Sequence, residues 1–317
     1  MYKKKGDEDM ITTVTLNPAE DKTFTVTRLV QGQVNRIDSV KNIAGGKGIN
    51  VSKVLRQYGY DVRALGFLGG YTGKFIEDYV RSIGAECFFT YVNGETRVNI
   101  NILSQDGYVT ELLEPGPDIR EKELSLFFHD FEQGIADSDL VILSGSAPEQ
   151  VPATVYHDLI LRARNKGKKV ILDSSGVFLK ESINACPYMV KPNIKELEIL
   201  SGRKIKRIED AIGAALQIGG RGIHHVMVSM GAKGLLYIND REIMYAKAPE
   251  VKAVNTVGCG DSVVAAFAMA CKQEMSNEEL LKFCVGISAA NATTLESAVI
   301  PMDKAEELME QVKIIRY

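Results

Sequence analysis

From residue 120 to about 230 the chain repeats one rhythm: a strand-length apolar run, a polar break, then helical spacing. The apolar runs fall at 139–143, 169–173, 188–191 and 225–229, and 152–166 and 196–201 carry the helical period. Buried strands alternating with helices build a mostly parallel sheet covered on both faces. An earlier buried strand, 11–16, ends at Asn17-Pro18, and 62–68 and 73–83 read as a further strand and helix. Polar residues gather just after the strands: Asp21, Ser144, Ser146, Asn193, Glu196 and Ser229. Ligands of open α/β sheets sit outside the carboxyl ends of the strands, so these residues mark the expected site. Segments 23–27 and 34–40 read as an antiparallel pair away from that sheet. Three more short strands, 87–92, 97–103 and 109–113, follow, with hairpin signals at Asn93-Gly94 and Asp106-Gly107.

Two glycine-rich turns open helices. In the second, Gly258-Cys259-Gly260-Asp261, apolar residues then recur at Val264, Phe267, Ala268 and Cys271, which predicts a helix from Asp261. Free N–H groups and the helix dipole at such a start suit a phosphate or a developing anion. A carboxylate there repels phosphate, so Asp261 makes more sense as a base, with helix capping as the plainer alternative. Cys259 in this turn is placed for a lowered thiol pKa and sensitivity to thiol reagents. The first turn is Ala44-Gly45-Gly46-Lys47-Gly48-Ile49-Asn50. Its glycines allow close approach of a ligand, with Lys47 and Asn50 available to hydroxyls or phosphate. It is not a P-loop, and no G-x-G-x-x-G follows the first strand, which sets aside a dinucleotide site.

Composition narrows the partners. A hydrophobic content of 45% and a net charge of −3 describe a globular chain with no sign of nucleic-acid or membrane binding. No apolar run reaches the roughly 20 residues of a membrane span, and 1–9 lack the apolar core of a signal peptide. Residues 1–9 read as a leader or mobile extension, and 10–317 as a single domain. The five cysteines contain no C-x-x-C pair, which fits a reducing cytoplasm and no zinc site.

Four motifs in order resemble the ribokinase-like (PfkB) carbohydrate kinases: Gly45–Asn50, Asn193-Ile194-Lys195-Glu196, Ser229-Met230-Gly231-Ala232-Lys233-Gly234 and Asn255–Ser262. Leu16-Asn17-Pro18, Val34-Asn35-Arg36, Gly94-Glu95-Thr96-Arg97 and Leu143-Ser144-Gly145-Ser146 are similar to the branch that phosphorylates phosphosugars. The resemblance implies a central parallel sheet plus a small antiparallel β lid, from about 23–40 and 87–113, able to pair into a homodimer. It implies ATP and Mg²⁺, with Asp261 as general base and the N–H groups of Gly258, Cys259 and Gly260 as anion hole. Asp21, Gly45, Gly46, Lys47, Asn50, Arg97, Ser146 and Arg36 would bind a phosphosugar, whose charge calls for cations. Asn193, Glu196, Ser229, Gly231, Gly234, Thr256 and Asn291 would line the nucleotide side, Glu196 meeting the metal through water. Fructose 1-phosphate is the expected acceptor, tagatose 6-phosphate the alternative, and a non-catalytic sugar- or nucleotide-binding regulator the rival of another class.

Overall fold

A computed structural model describes residues 10–317; the expectation for residues 1–9 lies outside them. The chain begins with β1 (Ile11–Thr15), β2 (Ala19–Val26), β3 (Ser39–Gly45), α1 (Lys47–Gln57), β4 (Val62–Leu68) and α2 (Gly70–Ser82). β5 (Glu86–Cys87), β6 (Thr90–Tyr91), β7 (Arg97–Ser104), β8 (Val109–Leu113), α3 (Glu121–Gly134) and β9 (Leu140–Ser144) follow. Next come α4 (Val155–Asn165), β10 (Lys169–Asp173), α5 (Gly176–Ser182), β11 (Met189–Val190), α6 (Ile194–Ser201) and α7 (Ile208–Gly219). The chain closes with β12 (His225–Ser229), β13 (Gly234–Asn239), β14 (Ile243–Lys247), α8 (Cys259–Lys272), α9 (Asn277–Ala292), α10 (Met302–Gln311) and β15 (Lys313–Arg316).

The central sheet has the order β15-β14-β13-β12-β11-β10-β9-β1-β4-β5, with β6 also on β4. Pairings from β12 through β5 are parallel, and β13, β14 and β15 add on antiparallel. Successive residues of a strand face opposite sides, and β9 shows the result. Leu140 and Ile142 enter one core with α1, α8, α9 and α10, while Val141 and Leu143 enter the other with α3, α4 and α7. Each fully buried large side chain, Phe127 or Phe267 for example, contributes about 1.5–3 kcal/mol. Thr12 and Thr13 of β1 are buried without penalty because they pair, with Ser138 and Ser52 respectively, each at 2.7 Å.

A second sheet, β3-β2-β7-β8, stands apart from the first. β2 pairs antiparallel with β3 and parallel with β7, and β7 pairs antiparallel with β8. Two expected strands moved. The partner of β2 is 39–45 rather than 34–40, because β3 runs directly into the Gly45-Gly46 corner and its polar Lys41 and Asn42 mask the period. Residues 86–91 belong to the central sheet, not to the small one, because α2 returns them parallel to β4. Helix α8 starts at Cys259, two residues before the expected Asp261, because Gly258 takes the capping position with φ +81°.

One ionisable group on β12 is half-buried in the central sheet. His225 shares Nδ1 with the Tyr237 hydroxyl at 2.8 Å and packs edge-on against Phe267. Burial pushes its pKa down to about 4. The unfolded imidazole takes a proton near 6.5, so this contribution is fully present above that pH and is lost as pH falls toward 4. Between pH 7.5 and 5 the fall amounts to about 2 kcal/mol. Urea unfolding of the wild type and His225→Phe at both pH values should show the wild type losing that much more than the variant. Equal losses would contradict the assignment.

Candidate active site

Several of the expected residues, Lys47, Asn50, Asn193, Ser229 and Asp261 among them, gather past the carboxyl ends of the strands. Helix α8 begins there, and a Cβ on Gly258 would come within 2.9 Å of the Ala298 nitrogen, so only glycine fits the corner. Of the N–H groups with no partner inside α8, that of Cys259 turns back to the Thr256 carbonyl at 3.3 Å and that of Ser262 to Gly258. Among the described residues the N–H groups of Gly258, Gly260 and Asp261 make no hydrogen bond at the helix start, whereas that of Cys259, expected as a donor, is turned back to Thr256. Gly258 makes the turn.

Asp261 is 5% exposed, and its Oδ2 accepts from the Asn50 amide at 2.8 Å. Burial raises its pKa, with Lys47 opposing the rise. Lys47 opens α1 and reaches Asp173 at 3.2 Å. Lys191, at the end of β11, reaches the other oxygen of Asp173 at 3.1 Å. Asp173 is 1% exposed and Lys191 5%. Burial alone would raise the Asp173 pKa, but Lys191 and Lys47 outweigh it and hold it below the usual carboxylate range. Asp173 in turn raises the pKa of Lys47. A Cβ on Gly260 would lie 3.3 Å from Lys191 Nζ, so this ammonium sits against the α8 turn. Sequence reading placed Asp173 and Lys191 in strands and missed them as site residues. Their signal was the same as that of Ser144: a polar residue ending a buried strand.

Asp21 sits on β2 over the Gly45-Gly46 corner, so close that a Cβ on Gly45 would fall 1.9 Å from its Oδ2. Arg97 opens β7 and donates to the carbonyls of Asn17, at 3.0 and 3.2 Å, and Glu114, at 3.2 Å. Ser146 is half-buried just past β9, where Gly145 donates to the Asp173 carbonyl at 2.9 Å. Arg36 is exposed on the loop between β2 and β3, and among the described residues no hydrogen bond or ion pair joins it to the other expected residues.

Beside the α8 turn lies a cavity of about 650 Å³, lined by Asn193, Ser229, Gly231, Gly234, Thr256 and Cys259, with apolar walls from Leu235, Val263 and Val285. That volume is within the range of small-molecule sites. Asn193 and Glu196 form a reciprocal cap on α6, at 2.8 and 3.0 Å, so the N-x-x-E pair has a structural role of its own. Asn291 is not on the cavity wall. It is fully buried and donates to the Val257 carbonyl and the Cys259 sulfur while accepting from Ala298 N–H. It braces the turn rather than meeting a base. The Cys259 thiol is also corrected: burial raises its pKa, against the lowering expected at a helix start. Among the described residues no group of three His, Cys, Asp or Glu could hold a metal, and no helix is long and apolar enough to cross a membrane.

Comparison with known proteins agrees with this geometry, and together they define a phosphotransferase whose acceptor is a sugar hydroxyl. The chain belongs to the pfkB family of carbohydrate kinases, whose family model matches residues 12–304. It is 34% identical to 1-phosphofructokinase of Bacillus subtilis, over 97% of this chain and 100% of that one. It is 36% identical to tagatose-6-phosphate kinase of Staphylococcus epidermidis, over 96% and 99%. The solved tetrameric inhibited form of phosphofructokinase-2 from Escherichia coli superposes with a TM-score of 0.88 at 27% identity, covering 96% of this chain and 99% of that one.

Asp173→Asn removes the shared partner of two lysines, one of them almost wholly buried. Breaking such a pair costs about 3–5 kcal/mol. Urea unfolding at pH 7 should show a loss of that size, and a loss under 1 kcal/mol would mean that water already screens the cluster.

Proposed function

We propose that this chain transfers the terminal phosphoryl group of ATP to fructose 1-phosphate, giving fructose 1,6-bisphosphate. The carrying observation is Asp261, a buried carboxylate fixed through one oxygen by Asn50, beside the free N–H groups of α8 and within the field of Lys47. Its other oxygen takes the proton from the attacking hydroxyl. The N–H groups of Gly260 and Asp261, with Lys191, face the charge that gathers on the transferring phosphoryl. A protein that only binds sugar or nucleotide has no use for such a base.

The nucleotide fits the cavity along Ser229, Gly231, Gly234 and Thr256, with the apolar walls for its base. Magnesium keeps several waters and asks little of the protein. Glu196 suits that demand, since one carboxylate oxygen caps α6 and the other accepts no hydrogen bond among the described residues. When bound, the metal offsets phosphate charge. Asp21, Gly45, Gly46, Asn50 and Ser146 hold the sugar, and Lys47, Arg97 and Arg36 supply the cations that its phosphate requires. Residues 10–317 act as one kinase domain, with the β3-β2-β7-β8 sheet as a lid that keeps water from the reacting groups. Its edge strands expose Val40, Val109 and Leu113, a liability that pairing of two copies through the lid removes. Tagatose 6-phosphate is the second reading, favoured by the 36% identity to the Staphylococcus epidermidis kinase.

The deciding measurement is kcat/KM with Mg-ATP for fructose 1-phosphate, tagatose 6-phosphate, fructose 6-phosphate and fructose. A preference of about a hundredfold for fructose 1-phosphate, roughly 2.7 kcal/mol, is expected, and the same preference for tagatose 6-phosphate would establish the second reading. Asp261→Asn should lower kcat by about 10²–10⁴ while both substrates still bind. Because burial raises the Asp261 pKa, wild-type kcat/KM should fall on the acid side at a pH above the ordinary aspartate value.

A further inference from the structure

Asn99 lies on β7 directly opposite Asp21 on β2, in the parallel register of the second sheet. Its Nδ2 donates to Asp21 Oδ1 at 2.8 Å. The flipped amide would set two oxygens against each other, so Asp21 fixes its orientation. That leaves Asn99 Oδ1 buried and without a hydrogen-bond partner. The same is true of Asn50 Oδ1 on the neighbouring helix start, whose amide holds Asp261. A buried amide oxygen left empty costs about 1–3 kcal/mol, and three nearby facts say what fills this one. Asp21 is only half-buried. Its Oδ2 overhangs the Gly45-Gly46 corner. The charged groups that act on it are Arg97, Lys53 and Glu111. Among the described residues no donor is hydrogen-bonded to Asn99 Oδ1 or to Asp21 Oδ2, which leaves two neighbouring acceptors for donors from outside the protein.

Resting on the kinase reading above, we infer that Asn99 is a positioning and specificity residue for the sugar. It holds the Asp21 carboxylate at one oxygen, so that the other meets one hydroxyl of the acceptor, while its own Oδ1 accepts from the adjacent hydroxyl. The lid sheet thus reads a vicinal diol through a side-chain pair that spans β2 and β7. The ligand class is a polyhydroxylated sugar phosphate presenting two neighbouring hydroxyl donors to this pair. Groups that lack the diol leave both acceptors unfilled.

The test uses the full chain with Mg-ATP and the sugar phosphate that the substrate panel selects. Asn99→Ala should raise the KM for that sugar about ten- to hundredfold, with the KM for ATP changed less than twofold. In the double variant with Asp21→Asn the two losses should not multiply, since Asn99 acts partly through Asp21. Asn99→Asp provides a separate check if the alanine variant folds poorly. It sets a second carboxylate against Asp21, so its sugar KM should be high at pH 8 and recover as pH falls and one proton settles on the pair. A sugar KM within twofold of wild type in Asn99→Ala overturns the inference, as does a parallel rise in both KM values, which marks a lid that has merely loosened. Fully multiplying losses in the double variant also overturn it, as does a sugar KM of Asn99→Asp that does not change with pH. Wild-type protein that phosphorylates no sugar phosphate fails the kinase reading and this inference together, whereas normal wild-type turnover with an indifferent Asn99→Ala fails the inference alone.

Discussion

The carboxylate of Asp173, held between the ammonium groups of Lys47 and Lys191, ties together three segments far apart in the chain. An isolated charge at that depth costs several kcal/mol, and attraction repays it only when the geometry is good. Lys191 can therefore not stay inside unless β10 ends where it does. The pairing sets the start of α1 against the end of β10, and the end of β11 against both. Lys47 is thereby brought within reach of Asp261, and Lys191 against Gly260. The site is assembled by neutralisation: Asp173, Asp261 and Lys191 are buried, Lys47 lies partly exposed beside them, and the four charges cancel.

A second chain of contacts joins the second sheet to the turn that opens α8. Lys41 on β3 meets Glu296 at 2.9 Å, and Glu296 also faces the buried Lys53, which donates to the Ser297 carbonyl at 2.8 Å. The next residue, Ala298, donates its N–H to Asn291 at 2.7 Å, and Asn291 grips Val257 and Cys259. From β3 to α8 the links are ion pairs, hydrogen bonds and one peptide bond, and the Ala298–Asn291 bond is buried. The turn that opens α8 is consequently held from behind by the same loop that anchors the edge of the second sheet.

What the sequence disclosed was local. Gly45, Gly46, Gly258 and Gly260 punctuate turns wherever they stand, and the strand at 225–229 shows its period without help. The polar residues after the strands were legible for the same reason, since parallel strands in one sheet share one carboxyl edge. What stayed hidden depends on partners from elsewhere in the chain. Asp173 and Lys191 look like ordinary strand ends until the fold places them 3.1 Å apart. Asn99 acquires a role only through its register with Asp21. The misread residues share a cause as well. Cys259 and Asn291 were judged from their own helices, yet their chemistry is governed by the loop that buries them. Residues 86–91 carry too little chain to reveal which sheet they join.

The charge arrangement suits Asp261 to the role of base that the proposed reaction gives it. An aspartate with its usual pKa is a weak acceptor of a hydroxyl proton. Burial strengthens Asp261 by raising its pKa, and Lys47 opposes that rise. On the proposed reaction, phosphate groups arrive next to Lys47 and Lys191 and draw on the same positive charge. That weakens the restraint on Asp261 and adds negative potential beside it, and both changes push its pKa further up. The base is then strongest when both substrates are in place, and weakest when the site is empty. A lysine that is shared between a buried aspartate and an incoming phosphate thus links occupancy to basicity, through electrostatics that are already present in the folded chain.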